Sequence, residues 1–95
     1  MKINEKLSEL ARICCNHFEI EENDLRSSKK SKDILNTRIA FCKTARFNLG
    51  IPAVKIQRFL NQSNNVYKLS QKNPTDTLYQ IIYPKIEKFV SKINN

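Results

Sequence analysis

Glycine is almost missing from this 95-residue chain: there is one, Gly50, beside three prolines, one histidine and no tryptophan. A single glycine cannot build the phosphate-cradling loop of a P-loop protein or a dinucleotide fingerprint, which both need several. The same scarcity of glycine and proline removes the turns that a sheet sandwich requires. His17 stands alone, with no nucleophile or carboxylate at an informative spacing, so the chain is not expected to be an enzyme or to need a cofactor. No stretch approaches the roughly 20 apolar residues of a membrane span, and Glu5 and Glu9 among the first apolar residues do not suit a signal peptide. The expectation is a cytoplasmic, nucleoid-associated protein without a membrane partner.

Cysteine is scarce and odd in number: Cys14, Cys15 and Cys42. Neighbours in sequence do not pair without strain, so a reduced setting is expected. His17 would complete four zinc ligands, but no pair has C-x-x-C spacing, and buried thiols with a surface histidine are expected instead of a metal site.

Acids are missing from the middle of the chain. Of the formal net charge of +8, residues 1–25 carry six acids and three bases, net −3, whereas Arg26 to Lys72 holds eleven Lys or Arg against Asp33 alone. A surface serving only solubility mixes both signs, so this concentration points to a polyanion partner, nucleic acid ahead of a membrane surface, an acidic protein or a merely solvated basic face.

Apolar residues recur at helical spacing, and the chain is expected to be all-α, a small bundle of about five helices in a single domain, 1–95. The core is placed at about 3–72 with a C-terminal helical extension over 75–95. Ile3, Leu7, Leu10, Cys14 and Phe18 mark one stripe of a helix over about 4–17. Residues 19–31 lose periodicity and should form a loop anchored by Ile20 and Leu25, with Arg26 to Lys32 as a mobile cationic arm. A second helix, about 32–49, turns Ile34, Phe41, Ala45 and Leu49 inward, leaves Lys32, Lys43 and Arg46 available to solvent or phosphate, and stops at Gly50 in a left-handed cap. Pro52 suits the first turn of a third helix, with Ala53, Ile56 and Leu60 inward. After the turn Asn61-Gln62, Ser63 is placed to cap a fourth helix with Val66 and Leu69 inside. Leu78, Ile82, Ile86, Phe89 and Ile93 mark a last helical segment, within which Pro84 either kinks one helix or starts another.

The third and fourth helices read as a helix-turn-helix. Asparagine pairs with adenine, serine with either base type, and lysine with guanine or phosphate, which makes Ser63, Asn64, Asn65 and Lys68, with Gln62 in the turn before them, candidate major-groove contacts. The ordinary alternative for each is a solvated helix start. Lys29, Lys30 and Lys32 are candidates for the minor groove, while Arg38, Lys55 and Arg58 would grip phosphates. Tyr67 is expected to pack its ring on the core edge rather than reach a phosphate. Single-strand binding lacks support at this level, because the aromatics are not interleaved with the basic residues as a stacking platform would be.

The run Phe18-x-Ile-x-x-x-Asp24-Leu25-x-Ser27-x-x-Lys30-Ser31-Lys32-x-Ile34-x-x-x-Arg38, followed by Gly50-Ile-Pro-Ala-Val-Lys-Ile56-Gln-Arg58-Phe-Leu60, resembles the C-terminal DNA-binding domain of the bacterial replication initiator DnaA. The likeness spans about residues 7–72. It implies a Trp-repressor-like helical bundle bound to double-stranded DNA, with Lys30 where the family places a minor-groove arginine and Arg38 at a basic position near the backbone. The family's Gly-Gly-Arg-Asp-His-Thr-Thr-Val signature is replaced by Asn61-Gln-Ser-Asn-Asn-Val66, about two residues shorter, so its target sequence does not transfer. A role in replication or transcription regulation is what the resemblance implies. A contrasting expectation is a protein-interaction module whose C-terminal segment pairs with a partner or with itself, because Ile81, Ile82, Phe89 and Val90 exceed what one stripe buries.

Overall fold

A helix whose apolar residues step by three and four must hide that stripe, and the longest stripe here organises the molecule. The computed structural model describes residues 2–60 and 65–94. Among them are six helices and no strand: α1 (Ile3–Phe18), α2 (Glu22–Leu25), α3 (Lys32–Lys43), α4 (Ala53–Leu60), α5 (Val66–Gln71) and α6 (Thr77–Asn94). The all-α bundle is as expected, with one more helix because residues 22–25 wind into a short turn.

In α1, Leu7, Leu10, Cys14 and Phe18 are buried against α3 and α6. Glu19 closes α1 in the left-handed region at φ 58°, and the Ile20 N–H donates to the Cys15 carbonyl at 3.0 Å. That is a Schellman-type stop built without glycine. Ile20 and Leu25 pack onto the core as anchors of the following segment.

α3 runs into a π-helical turn, Thr44–Asn48. The Thr44 hydroxyl donates to the Ala40 and Phe41 carbonyls, and the Leu49 N–H reaches back five residues to Thr44 O at 3.0 Å. Threonine back-bonding of this kind bends a helix, and the wider turn follows it. Gly50 then takes φ 67° with nothing within 4 Å of a Cβ placed there, so only backbone conformation calls for glycine. Ala53, Ile56 and Leu60 of α4 are buried, as are Val66 and Leu69 of α5. Pro52 stands just ahead of α4, where its carbonyl accepts from Lys55 and Ile56.

α6 decides one open alternative and corrects one expectation. It is one helix with exposed Pro84 inside it, and it belongs to the core instead of extending from it: Tyr79, Ile82, Ile86 and Val90 are buried. The buried stripe is turned relative to the expected one, leaving Leu78 and Phe89 exposed together with Ile81. Asp76 sets the entry of α6, accepting from the Tyr79 N–H at 3.4 Å and from buried Asn36 Nδ2 of α3 at 2.9 Å.

The three thiols are buried and unpaired. Burial pushes Cys15 and Cys42 up to about 12 and Cys14 upward as well, which keeps them protonated packing groups at neutral pH. His17 is half-buried, its Nδ1 2.9 Å from the Ile13 carbonyl and its ring edge-on to Phe89 at 5.2 Å.

Tyr79 stacks on Tyr83 with centroids 5.3 Å apart, yet its hydroxyl is buried without a hydrogen-bond partner among the described residues. An unsatisfied buried hydroxyl costs on the order of 1 to 3 kcal/mol. Tyr79→Phe keeps the ring and is therefore expected to hold or raise the urea-denaturation midpoint. A lowered midpoint would show that the hydroxyl has a partner after all.

Candidate nucleic-acid interface

The cationic segment after α2 is short of anything that would order it by burial, since only Leu25 reaches the core. Its order comes from Arg38. This arginine is 1% exposed, and its guanidinium donates to the carbonyls of Leu25 at 3.0 Å, Lys29 at 2.7 Å, Asp24 at 3.1 Å and Ser27. Burial pulls its pKa below the usual arginine value, with Asp24 and Cys42 opposing that shift. One expectation is corrected here. Arg38 is not available to grip phosphate, because its donors are turned inward onto main-chain oxygens, two of which, those of Ser27 and Lys29, belong to the cationic loop.

Further bonds tighten the same loop. Ser27 Oγ donates to Asp24 O at 2.8 Å and accepts from the Lys29 N–H at 3.1 Å. Lys29 Nζ pairs with Asp24 Oδ1 at 3.0 Å, so this lysine is partly neutralised. Lys30 and Lys32 are exposed and make no salt bridge among the described residues. The Arg26 guanidinium lies 4.1 Å from the centre of the Phe59 ring, which stacks on Phe41 at 5.6 Å. Loop, α3 and α4 are thereby tied together.

Lys55 and Arg58 of α4 are exposed and line one groove with Lys2, Ile3, Asn4, Glu5 and Phe59. Lys2 was missed by the sequence reading because it lies in the segment whose sum is negative. Only the packing of α1 beside α4 brings it to the other cations.

Gln62, Ser63 and Asn64 lie outside the described residues, as does the turn Asn61-Gln62. Asn65 is exposed but serves as the cap of α5, its Oδ1 accepting the Lys68 N–H at 3.1 Å. The capping role expected of Ser63 therefore falls to Asn65, whose side-chain oxygen is used in holding the helix start. Lys68 is exposed beside it.

Lys43 and Arg46 are not left to solvent. Lys43 Nζ donates to Asn73 Oδ1 at 2.8 Å, and Arg46 Nη1 donates to Ser70 Oγ at 2.6 Å. The Arg46 guanidinium also lies over the Phe47 ring at 4.8 Å and the Tyr67 ring at 4.6 Å. Tyr67 is thus neither packed on the core edge nor free: it is 59% exposed with a cation on one face.

Removing Arg38 would take a donor from the carbonyls of Leu25, Ser27 and Lys29, and one of several from that of Asp24, which also accepts from the Ser27 N–H and hydroxyl. Arg38→Ala is expected to destabilise the protein by about 3 kcal/mol or more, and Arg38→Lys should not restore it, since one ammonium cannot reach a fork of carbonyls. Chemical denaturation reads the loss, and amide hydrogen exchange should show it first at residues 24–30. Unchanged protection there would sink the assignment of Arg38 as the clamp. No family model, curated protein or solved structure matches the chain.

Proposed function

We propose that this protein binds double-stranded DNA in the manner of a DnaA-type helix-turn-helix, with α4 and α5 presented to the major groove and the loop of residues 26–32 toward the minor groove. The observation that carries this reading is the Arg38 clamp. A buried guanidinium is used to hold a lysine-bearing loop in one shape, which is of little use if the loop only solvates the surface. The net −3 of residues 1–25 beside the strongly basic stretch from Arg26 to Lys72 supports it, as does the exposure of Lys30, Lys32, Lys55, Arg58 and Lys68. A regulatory or replication-accessory role follows from the resemblance and from nothing else on the chain.

Selection of bound fragments from random duplex DNA, followed by a salt series on the selected site and on a scrambled duplex, tests the reading. Contact with about four to six phosphates gives a log-log salt slope near −4 to −5. Lys30→Ala should weaken binding most on A·T-rich flanks, whose narrow minor groove concentrates negative potential. Equal, weak affinities for both duplexes would remove sequence specificity, and no binding at low salt would remove the reading altogether.

A second reading, association through α6, is favoured by the exposed row of Leu78, Ile81 and Phe89 beside Lys85, Lys88 and Lys92. Deleting 75–95 would not test it, because that removes Tyr79, Ile82, Ile86 and Val90 from the core. Sedimentation of the full chain and of Ile81→Glu does: self-association lost in the variant supports this reading, and a monomer in both removes the homodimer.

A further inference from the structure

Phe47 and Tyr67 are twenty residues apart and are among the most solvent-exposed large apolar side chains described, at 62% and 59%. The fold places both against one guanidinium, that of Arg46, at 4.8 Å and 4.6 Å from their ring centres. Arg46 is itself held: its Nη1 donates to Ser70 Oγ at 2.6 Å, and the Ser70 hydroxyl donates to the Tyr67 carbonyl at 3.0 Å. The residues come together because α3 widens into the π-helical turn Thr44–Asn48, which carries Arg46 and Phe47 and packs beside α6, while α5 lies on α3. Irregular turns of this kind inside helices recur at functional sites.

The stretch of chain that carries the rings is cationic, although α6 beside the turn bears Glu87. Residues 34–75 contain no Asp or Glu, so nothing in α5, the π-helical turn or the chain between them offsets Arg46, Lys68 and Lys72. Two flat rings, each with a cation on one face and open to solvent elsewhere, with lysines nearby for phosphates, match the recognition of unpaired bases by stacking. We infer that Phe47, Arg46 and Tyr67 form a stacking platform for unpaired nucleobases of a single-stranded nucleic acid. This site shares α5 and Lys68 with the duplex contacts proposed above but adds the π-helical turn to them, and it reverses the sequence-level objection that aromatic and basic residues are not interleaved: they meet in space.

Fluorescence anisotropy with labelled oligothymidine, oligouridine of the same length and an abasic strand of equal charge tests the platform. The wild-type protein should bind a base-bearing strand at least about fivefold more tightly than the abasic strand, with the thymidine and uridine arms showing which sugar is preferred. Phe47→Ala and Tyr67→Ala should each remove most of that difference, and Tyr67→Phe should keep it, since the ring face is what stacks. Both alanine variants alter exposed side chains, and their thermal melts should match the wild type. Equal binding of abasic and base-bearing strands, or alanine variants that bind as the wild type does, would overturn the platform. Blunt-duplex affinity is measured in parallel; its absence would sink the duplex reading alone, while retained duplex binding without strand preference would sink only the platform.

Discussion

A guanidinium taken out of water costs several kcal/mol, and a buried cation survives only where strong acceptors replace its hydration. Arg38 meets that condition without a carboxylate in hydrogen-bond contact: its acceptors are four main-chain carbonyls between Asp24 and Lys29, while the Asp24 carboxylate is occupied by Lys29. Hydrogen bonds to a charged donor contribute roughly 1.5 to 3 kcal/mol each, so several together offset the desolvation. The exposed Lys29–Asp24 pair contributes little by comparison, about 0 to 1 kcal/mol.

Because the clamp lies on α3, the loop inherits the position of the core. Arg26 at the start of the loop rests on Phe59 of α4, and Phe59 stacks on Phe41, which is buried in α3. Any rigid-body shift of α4 relative to α3 would break this contact as well as the apolar packing beneath it. The exposed Lys30 and Lys32 are therefore displayed from a fixed base that also carries Lys55 and Arg58.

Much of the fold was legible because strong periodicity leaves one solution. The α1 stripe, the left-handed Gly50 and the inward Ala53, Ile56 and Leu60 all follow from spacing and local backbone demands, and the structure agrees with each. Arg38 was misread for an instructive reason. Ile34, Arg38, Phe41 and Ala45 step by four, three and four, so the arginine occupies a core slot on an apolar stripe, a signal that its charge overrode. In α6 two stripes compete, one through Leu78, Ile82, Ile86 and Phe89 and one through Tyr79, Ile82, Ile86 and Val90. Spacing cannot choose between them, and packing against α1 and the π-helical turn does.

The polar positions were the hardest to read, since their roles depend on what lies opposite. Asn65 is useful as a cap only because α5 starts at Val66, and Arg46 meets Tyr67 only because α5 folds back onto α3. A charge run is therefore two populations. Arg38, Lys43 and Arg46 carry donors already committed within the molecule, and their contribution is shape. Lys30, Lys32, Lys55, Arg58 and Lys68 stand exposed, and a polyanion would find its counterions among them. Counting all eleven cations between Arg26 and Lys72 as one field overstates what a phosphate backbone can meet, because a cation that orders its own protein has less left to give a ligand.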